Sequence, residues 1–306
     1  MSASVETEIE FFTFLTGLQN KELLSLKTLI DTFPYKASHK INIIDKSNKL
    51  KEKFEKKEKI YHAERHYIIK HELDFDFQYW IDLKDQFKDS INVINAQQYS
   101  THVEGVHEVI TKLASKKYVI IMDSDIKFIN KNYLSDMVDI IKDFNSDENL
   151  AGIGEIYQEA PFSLPFKRYL PQEFFKLFLN DRRSSFKNFI QNIFLFFLHG
   201  KKNKDERIHK LPRIFTSLIL INRELYNKYK MNFNYLWLEV FDKYKNDWLS
   251  NRVMGDAGAA LLFQIAQYQK KFVNISYKKY IQHSRKGSRP TKKKDSVDKN
   301  WLRFDF

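Results

Sequence analysis

Cysteine is absent from all 306 residues, which excludes a disulfide scaffold, a thiolate metal site and a cysteine nucleophile, and suits a reducing cytoplasm. Long apolar runs are absent too: no stretch reaches the roughly 18 apolar residues a membrane-spanning helix needs. Met1 to Glu10 is acidic and lacks the charged-then-apolar pattern of a signal peptide. The expectation is a cytoplasmic protein, soluble or held peripherally on the inner face of the cell membrane. There is no internal repeat, and the length allows one large domain or two small ones. One continuous domain over 1–306, interrupted by an insertion, is the simplest organisation.

Positive charge is abundant, with a formal net charge of +12. The lysines are nevertheless spread along the chain and interleaved with acids, so no specific nucleic-acid partner is expected, because such a partner calls for clustered base. Lys49 to Lys59 reads as a solvated helix face of alternating charge. Residues 278–306 begin with a basic stretch, Lys278 to Lys294, that has no acid until its end; it suits a flexible flap.

Periodicity gives an α/β order. Glu8 to Gly17 reads as a strand ending at a glycine turn, Lys21 to Phe33 as a helix with Leu23, Leu26, Leu29 and Ile30 on its apolar side, and Pro34 as its stop. A short strand over His39 to Ile44 ends at Asp45-Lys46-Ser47-Asn48. Tyr61 to Asp89 is mixed, Ser90 to Ala96 is a strand, and Thr101 to Ser115 is a helix. Asn132 to Phe144 is helical, Ala151 to Tyr157 and Arg213 to Asn222 are strands, and Ala257 to Gln269 is a helix. Strands and helices in alternation build a parallel sheet whose ligands lie beyond the carboxyl ends of its strands. Residues 161–210 break the pattern with three prolines and an aromatic run, Phe189 to Leu198, flanked by arginine and lysine. They form a helical insertion, either a buried helix or pair of helices, or an amphipathic segment lying on an anionic bilayer.

The decisive stretch is Tyr118 to Asp125. A Val/Ile-rich strand ends in Asp123-Ser124-Asp125, two carboxylates that repel one another unless a cation lies between them. Carboxylate oxygens are hard ligands for Mg²⁺ or Mn²⁺, ions that keep positions open for nucleotide phosphates.

With these residues in view, the chain resembles the family 2 glycosyltransferases of GT-A fold, whose Rossmann-like mixed sheet is flanked by helices. The likeness rests on Phe14-Leu15-Thr16-Gly17, on Ile43-Ile44-Asp45-Lys46-Ser47, on the Asp-x-Asp of Met122 to Asp125, on Gly255-Asp256-Ala257-Gly258, and on Ile281-Gln282-His283-Ser284-Arg285-Lys286-Gly287-Ser288. It implies a nucleotide-sugar donor, a UDP- or GDP-sugar, and a glycan, lipid-linked or protein acceptor in surface glycan or glycolipid synthesis. Leu15, Thr16, Gly17, Asp45 and Ser47 would meet the nucleotide. Asp125 would bind Mn²⁺ or Mg²⁺, Asp123 would touch the ribose or a metal-bound water, and His283 would be the third ligand, unless it is an ordinary surface histidine. Arg285, Lys286 and Ser288 would close over the diphosphate. Asp256 would be the general base of an inverting hexosyl transfer, or else a helix cap, and Gly255 and Gly258 would leave room for the acceptor. The family's commoner polar turn after the first strand is replaced here by Thr16-Gly17, and its Glu-Asp pair is not evident.

Two alternatives differ in class. A nucleotidyltransferase also uses paired aspartates on an α/β sheet, but needs a glycine-rich basic loop near the N-terminus, where Leu15 to Leu24 offers only Gly17 and Lys21. A non-catalytic basic binding module would not require Asp123, Asp125, Asp256 and His283 at strand or helix ends.

Overall fold

A computed structural model of the chain describes residues 5–56, 61–62, 67–68, 74–98, 100, 102–144, 149–157, 213–233, 258, 261–262, 264–265 and 268–283. The insertion at 161–210, Asp256, and the segment beyond His283 with Arg285, Lys286 and Ser288 lie outside them. The chain divides into two compact units: Met1–Asp143, Thr216–Arg223 and Ser276–Phe306 form the first, and Phe144–Phe215 and Glu224–Ile275 the second.

The first unit is α/β. Strands β1 (Ile9–Leu15), β2 (Ile41–Asp45), β5 (Ile91–Asn95), β6 (Tyr118–Met122) and β9 (Arg213–Asn222, from Thr216 onward in this unit) stand in the order β9-β6-β1-β2-β5. β1 pairs in parallel with β2, Phe11 to Ile41 through Leu15 to Asp45, and with β6, Ile9 to Tyr118 through Phe12 to Ile121. β2 pairs in parallel with β5, while β9 runs antiparallel to β6, with Met122 opposite Leu218. β6 lies between two neighbours and every one of its residues is buried. A strand covered on both faces reads as an unbroken apolar run, and that is the pattern of Tyr118 to Met122.

The connections follow the expected alternation. Helix α1 (Asn20–Thr32) buries Leu23, Leu26, Leu29 and Ile30, spaced so that they share one face. It ends where Phe33 donates its amide to Ile30 and Pro34 follows. Helix α2 (Ser47–Glu55) starts one residue after Lys46, and its lysines lie on its solvated side apart from buried Ser47 and Leu50. The mixed segment resolves into two-residue strands β3 (Tyr61–His62) and β4 (Tyr67–Ile68), then α3 (Phe77–Gln86), whose first turn is capped by the Asp76 carboxylate accepting from the Tyr79 amide. Helix α4 (His102–Glu108) continues as a wider π turn over Val109–Leu113 and feeds β6. Helix α5 (Tyr133–Asp143) buries Leu134, Met137, Val138 and Ile141.

One pairing has no counterpart in the sequence reading. Directly after the acidic motif, β7 (Ile126–Phe128) pairs antiparallel with β11 (Ile281–His283), with Ile281 opposite Phe128 and His283 opposite Ile126. Both strands are three residues long, too short for periodicity to reveal.

In the second unit, β8 (Leu150–Tyr157) and β10 (Lys271–Asn274) are parallel, and the Asn274 side chain accepts from the Ile156 amide. Helix α6 (Arg223–Lys228) follows β9 directly. Positions 258, 261, 262, 264 and 265 are helical, and Leu261, Leu262 and Ile265 are buried. Gly258 is explained by packing: a Cβ there would lie 2.0 Å from the Ile214 carbonyl oxygen. The close approach that Gly258 permits is made here by the Ile214 backbone.

Candidate metal and nucleotide site

Two neighbouring aspartates, Asp123 and Asp125, and a histidine far along the chain, His283, meet beyond the carboxyl end of β6. Asp123 follows the strand, and its amide donates to the Ser217 carbonyl on β9, 2.9 Å away. Asp125 lies two residues on, at the entrance to β7, and is 7% exposed. Because β11 pairs with β7, the His283 imidazole lies against both carboxylates. Its Nε2 is 3.2 Å from Asp125 Oδ1 and 3.5 Å from Asp123 Oδ2. One ligand atom from each residue lies within 4.8 Å of the others. Two carboxylate oxygens and an imidazole nitrogen in that space form a donor set suited to Mn²⁺ or Mg²⁺. The chemistry and the separation both fit an ion.

The surroundings hold these ligands in place. The Ser217 hydroxyl donates to Asp123 Oδ2 at 2.5 Å, the kind of outer partner that orients a ligating carboxylate. Burial alone would raise the Asp123 pKa. The His283 hydrogen bond, the His102 and His283 rings and the Ser217 hydroxyl outweigh it and lower the group to about 2. Burial likewise disfavours charge on His283, but its bonds to Asp123 and Asp125 raise it to about 10. In the metal-free protein the imidazolium therefore occupies the place between two carboxylates that a cation would take. Metal binding must displace that proton.

His102, at the start of α4, sits at the rim. Its Nε2 is 3.9 Å from Asp123 Oδ1, and its ring meets Phe14 edge-on at 5.2 Å. Burial lowers its pKa, Asp123 and Asp125 oppose that, and Lys46 reinforces it. Lys46 itself is buried under the Phe14 ring, 5.1 Å from the centroid, and donates to the Ser100 carbonyl at 3.1 Å. Burial lowers its pKa to about 8 against the pull of Glu104 and Glu108.

The turns expected to meet the nucleotide are brought together, but their polar groups are already engaged. Leu15 is buried at the end of β1 and accepts from the Lys46 amide. Gly17 has φ +81°, and a Cβ on it would fall 2.4 Å from Ser47, so glycine is required both for the backbone and for the close approach of the two turns. Glu22, at the third position of α1, reaches back and accepts from the amides of Thr16, Gly17 and Leu18, each at 3.1 Å, and from the Thr16 hydroxyl. Burial raises its pKa, and these four bonds counter the rise. Asp45 is 3% exposed; one oxygen accepts from the Ser47 amide and hydroxyl, and the other from Trp80 Nε1 at 2.8 Å.

Ser217, His102, Glu22 and Trp80 escaped the sequence reading. For His102 the signal was present: it opens a helix that follows β5 and precedes β6, so it emerges at the same sheet edge as Asp123. Ser217 carries no such mark, since only the antiparallel register of β9 places it opposite Asp123.

No protein-family model matches this chain, and no curated protein matches it in sequence. Solved structures with a similar backbone include S. aureus TarS 1-349, at 13% identity and a TM-score of 0.45, covering 90% of this chain and 59% of that one. Another is the mannosyltransferase PcManGT from Pyrobaculum calidifontis, solved with GDP-Man and Mn²⁺, at 10% identity and a TM-score of 0.43, covering 88% of this chain and 54% of that one. A third is GalNAc-T7 with UDP, GalNAc and Mn²⁺, at 11% identity and a TM-score of 0.41, covering 87% and 42%. The chain spans little more than half the length of the first two.

Proposed function

We propose that this chain is a metal-dependent glycosyltransferase of GT-A type that moves a sugar from a nucleoside-diphosphate donor to a hydroxyl acceptor. The observation that carries the reading is the convergence of Asp123, Asp125 and His283 at the carboxyl edge of a mostly parallel sheet. It rests on that site and on the motifs, not on the low overall likeness to the solved structures above.

Asp125, Asp123 and His283 would hold Mn²⁺ or Mg²⁺. The bound ion would neutralise charge on the donor diphosphate. The Leu15-Thr16-Gly17 and Asp45-Ser47 turns would wall the base and ribose, with Asp123 reaching the ribose. Arg285, Lys286 and Ser288 would cover the diphosphate, and Asp256 would take the proton from the acceptor hydroxyl as the hydroxyl oxygen bonds to the anomeric carbon and the bond from that carbon to the diphosphate oxygen breaks on the opposite face, releasing the nucleoside diphosphate with inversion. The Glu22 carboxylate speaks for glycosyl rather than nucleotidyl transfer. It occupies the amides that a phosphate-binding loop would turn toward its ligand, so the β1–α1 turn has no anion nest to offer.

The test is a screen of UDP- and GDP-sugars for thermal stabilisation that requires Mn²⁺, followed by donor hydrolysis in the absence of acceptor. Stabilisation by nucleoside triphosphates and not by sugar nucleotides would overturn the reading in favour of nucleotidyl transfer. Tight, salt-sensitive binding to nucleic acid with no sugar-nucleotide binding would favour the basic binding module.

Among the described residues no helix is long and apolar enough to cross a membrane. We place the enzyme in the cytoplasm, building surface glycan or glycolipid, with the 161–210 insertion meeting a lipid-linked acceptor at an anionic bilayer. Each basic residue near such a surface contributes about 1 kcal/mol. Sedimentation with vesicles of increasing anionic lipid should therefore carry the protein down at low salt and release it at moderate salt. Indifference to lipid composition would assign the aromatic run to the protein core.

A further inference from the structure

The third ligand, His283, reaches the carboxylates on a strand of three residues, and a ladder that short has little stability of its own. Its register matters more than its strength. Side chains alternate across a strand, so a slip of one residue would put Gln282 or Ser284 in the place of His283 and turn the imidazole to the other face. Something must fix that register.

The residues just before β11 are held by their neighbours. Tyr280 is 3% exposed, packs its ring on Tyr133 at 5.2 Å, and accepts at its backbone carbonyl from the amides of Ile129, at 2.9 Å, and Asn130, at 3.3 Å. Its phenol donates to Asp136 Oδ2 at 2.6 Å, and Lys279 donates to the same oxygen at 2.6 Å. Asp136 lies in the first turn of α5, a helix fixed through its buried face and through the Leu134 amide, which donates to the Tyr35 hydroxyl. The approach to β11 is thus tied to α5 by the Tyr133–Tyr280 ring contact and by the Asp136 carboxylate, which lies outside the ligand cluster.

We propose that Asp136 is a positioning residue for the metal site: by holding Tyr280 and Lys279 it sets the register of β11 and so the placement of His283. The proposal rests on the metal-dependent reading above. A surface ion pair alone would contribute little; here the phenol is the partner that matters, because its ring is buried against Tyr133 and the Tyr280 backbone carbonyl accepts from Ile129 and Asn130.

The experiment is a calorimetric titration of the full chain with Mn²⁺ alone, comparing the wild type with Asp136→Ala, Asp136→Asn, Tyr280→Phe, His283→Ala and the double variant Asp136→Ala/His283→Ala. Asp136→Ala and Tyr280→Phe should each weaken Mn²⁺ binding by about tenfold, the lower end of what loss of an outer-shell partner costs. Asp136→Asn, whose amide oxygen still accepts the phenol proton, should recover most of the affinity. In the His283→Ala background the Asp136→Ala change should have no further effect, because both act through one ligand. Unchanged affinity in Asp136→Ala and Tyr280→Phe, or an equal loss with and without His283, would overturn the positioning role while leaving the metal site standing. Failure of the wild type to bind Mn²⁺ would sink the metal reading itself and the proposal with it. Tyr280→Phe removes a single oxygen, so it keeps the test decisive if Asp136→Ala does not fold.

Discussion

Glu22 and Asp123 are both carboxylates beside the carboxyl end of a parallel strand, and they are satisfied in opposite ways. Glu22 takes four donors from residues 16 to 18, all within six positions of it. Asp123 takes a hydroxyl from Ser217 and shares the His283 imidazole with Asp125, partners 94 and 160 residues away in sequence. A carboxylate saturated by its own turn is structural, because it has nothing left to offer a ligand. Two carboxylates that share one imidazole have lone pairs to spare and a mutual repulsion that a cation relieves. The difference between fastening and function lies in how many donors each acid is given, and not in its distance from the sheet edge.

The sharpest way to break this comparison is to remove one acid from each cluster. Asp125→Ala should lower transfer by at least about a thousandfold, equivalent to roughly 4 kcal/mol of transition-state stabilisation, and should abolish Mn²⁺-dependent donor binding. Its melting temperature in chelator should stay close to that of the wild type. Normal donor and metal binding by this variant, read by calorimetry, would show that the metal assignment is wrong.

Glu22→Ala should do the reverse. It strips the acceptor from four buried or part-buried donors, and each donor left unpaired costs about 1–3 kcal/mol, so urea denaturation should show a loss of about 3 kcal/mol or more. Below its melting transition the variant should bind Mn²⁺ as the wild type does. A loss of metal affinity larger than the loss of stability would mean that Glu22 supports the metal ligands as well as its own turn.

Asp256→Asn separates chemistry from binding. If Asp256 is the base, kcat should fall by about a hundredfold with donor affinity unchanged. A lower melting temperature with kcat intact would instead identify a helix cap.

The smallest effect concerns pH. The folded His283 pKa is raised from 6.5 to about 10. Between those values the folded state binds more protons than the unfolded one, and stability falls as pH rises. The stabilisation supplied by His283 in metal-free buffer should be complete below about pH 6.5 and lost as pH passes about 10. The stability difference between wild type and His283→Gln should therefore shrink by at least about 1.4 kcal/mol, one pKa unit, across that window. A difference independent of pH, measured by urea denaturation at pH 6, 8 and 10, would mean that folding leaves the His283 pKa at its unfolded value and that no imidazolium bridges the acids.

Legibility in the sequence followed length and locality. Strands β1, β2, β5 and β6 and helices α1 and α4 were readable because they are long enough to show their period, as in α1 with Leu23, Leu26, Leu29 and Ile30, and because β6 is an unbroken apolar run. Helix α3 was missed although Asp76 caps it, because its aromatic and charged residues blur the pattern. Strands β7 and β11 left no trace at three residues each.

The sequence by itself determined the α/β order, the Asp-x-Asp at the end of an apolar strand, and thereby the metal chemistry the site invites, because these depend on neighbouring residues and on periods of two or 3.6. Only the tertiary structure decided that the His283 named by the motif lies against Asp125, that Ser217 orients Asp123, that the Asp45 carboxylate is taken by Trp80 and Ser47, and that a Cβ at Gly258 would meet the Ile214 backbone. Each of these depends on strand register or on contact between distant segments, and register is set by the packing of whole faces, which no local stretch of sequence encodes.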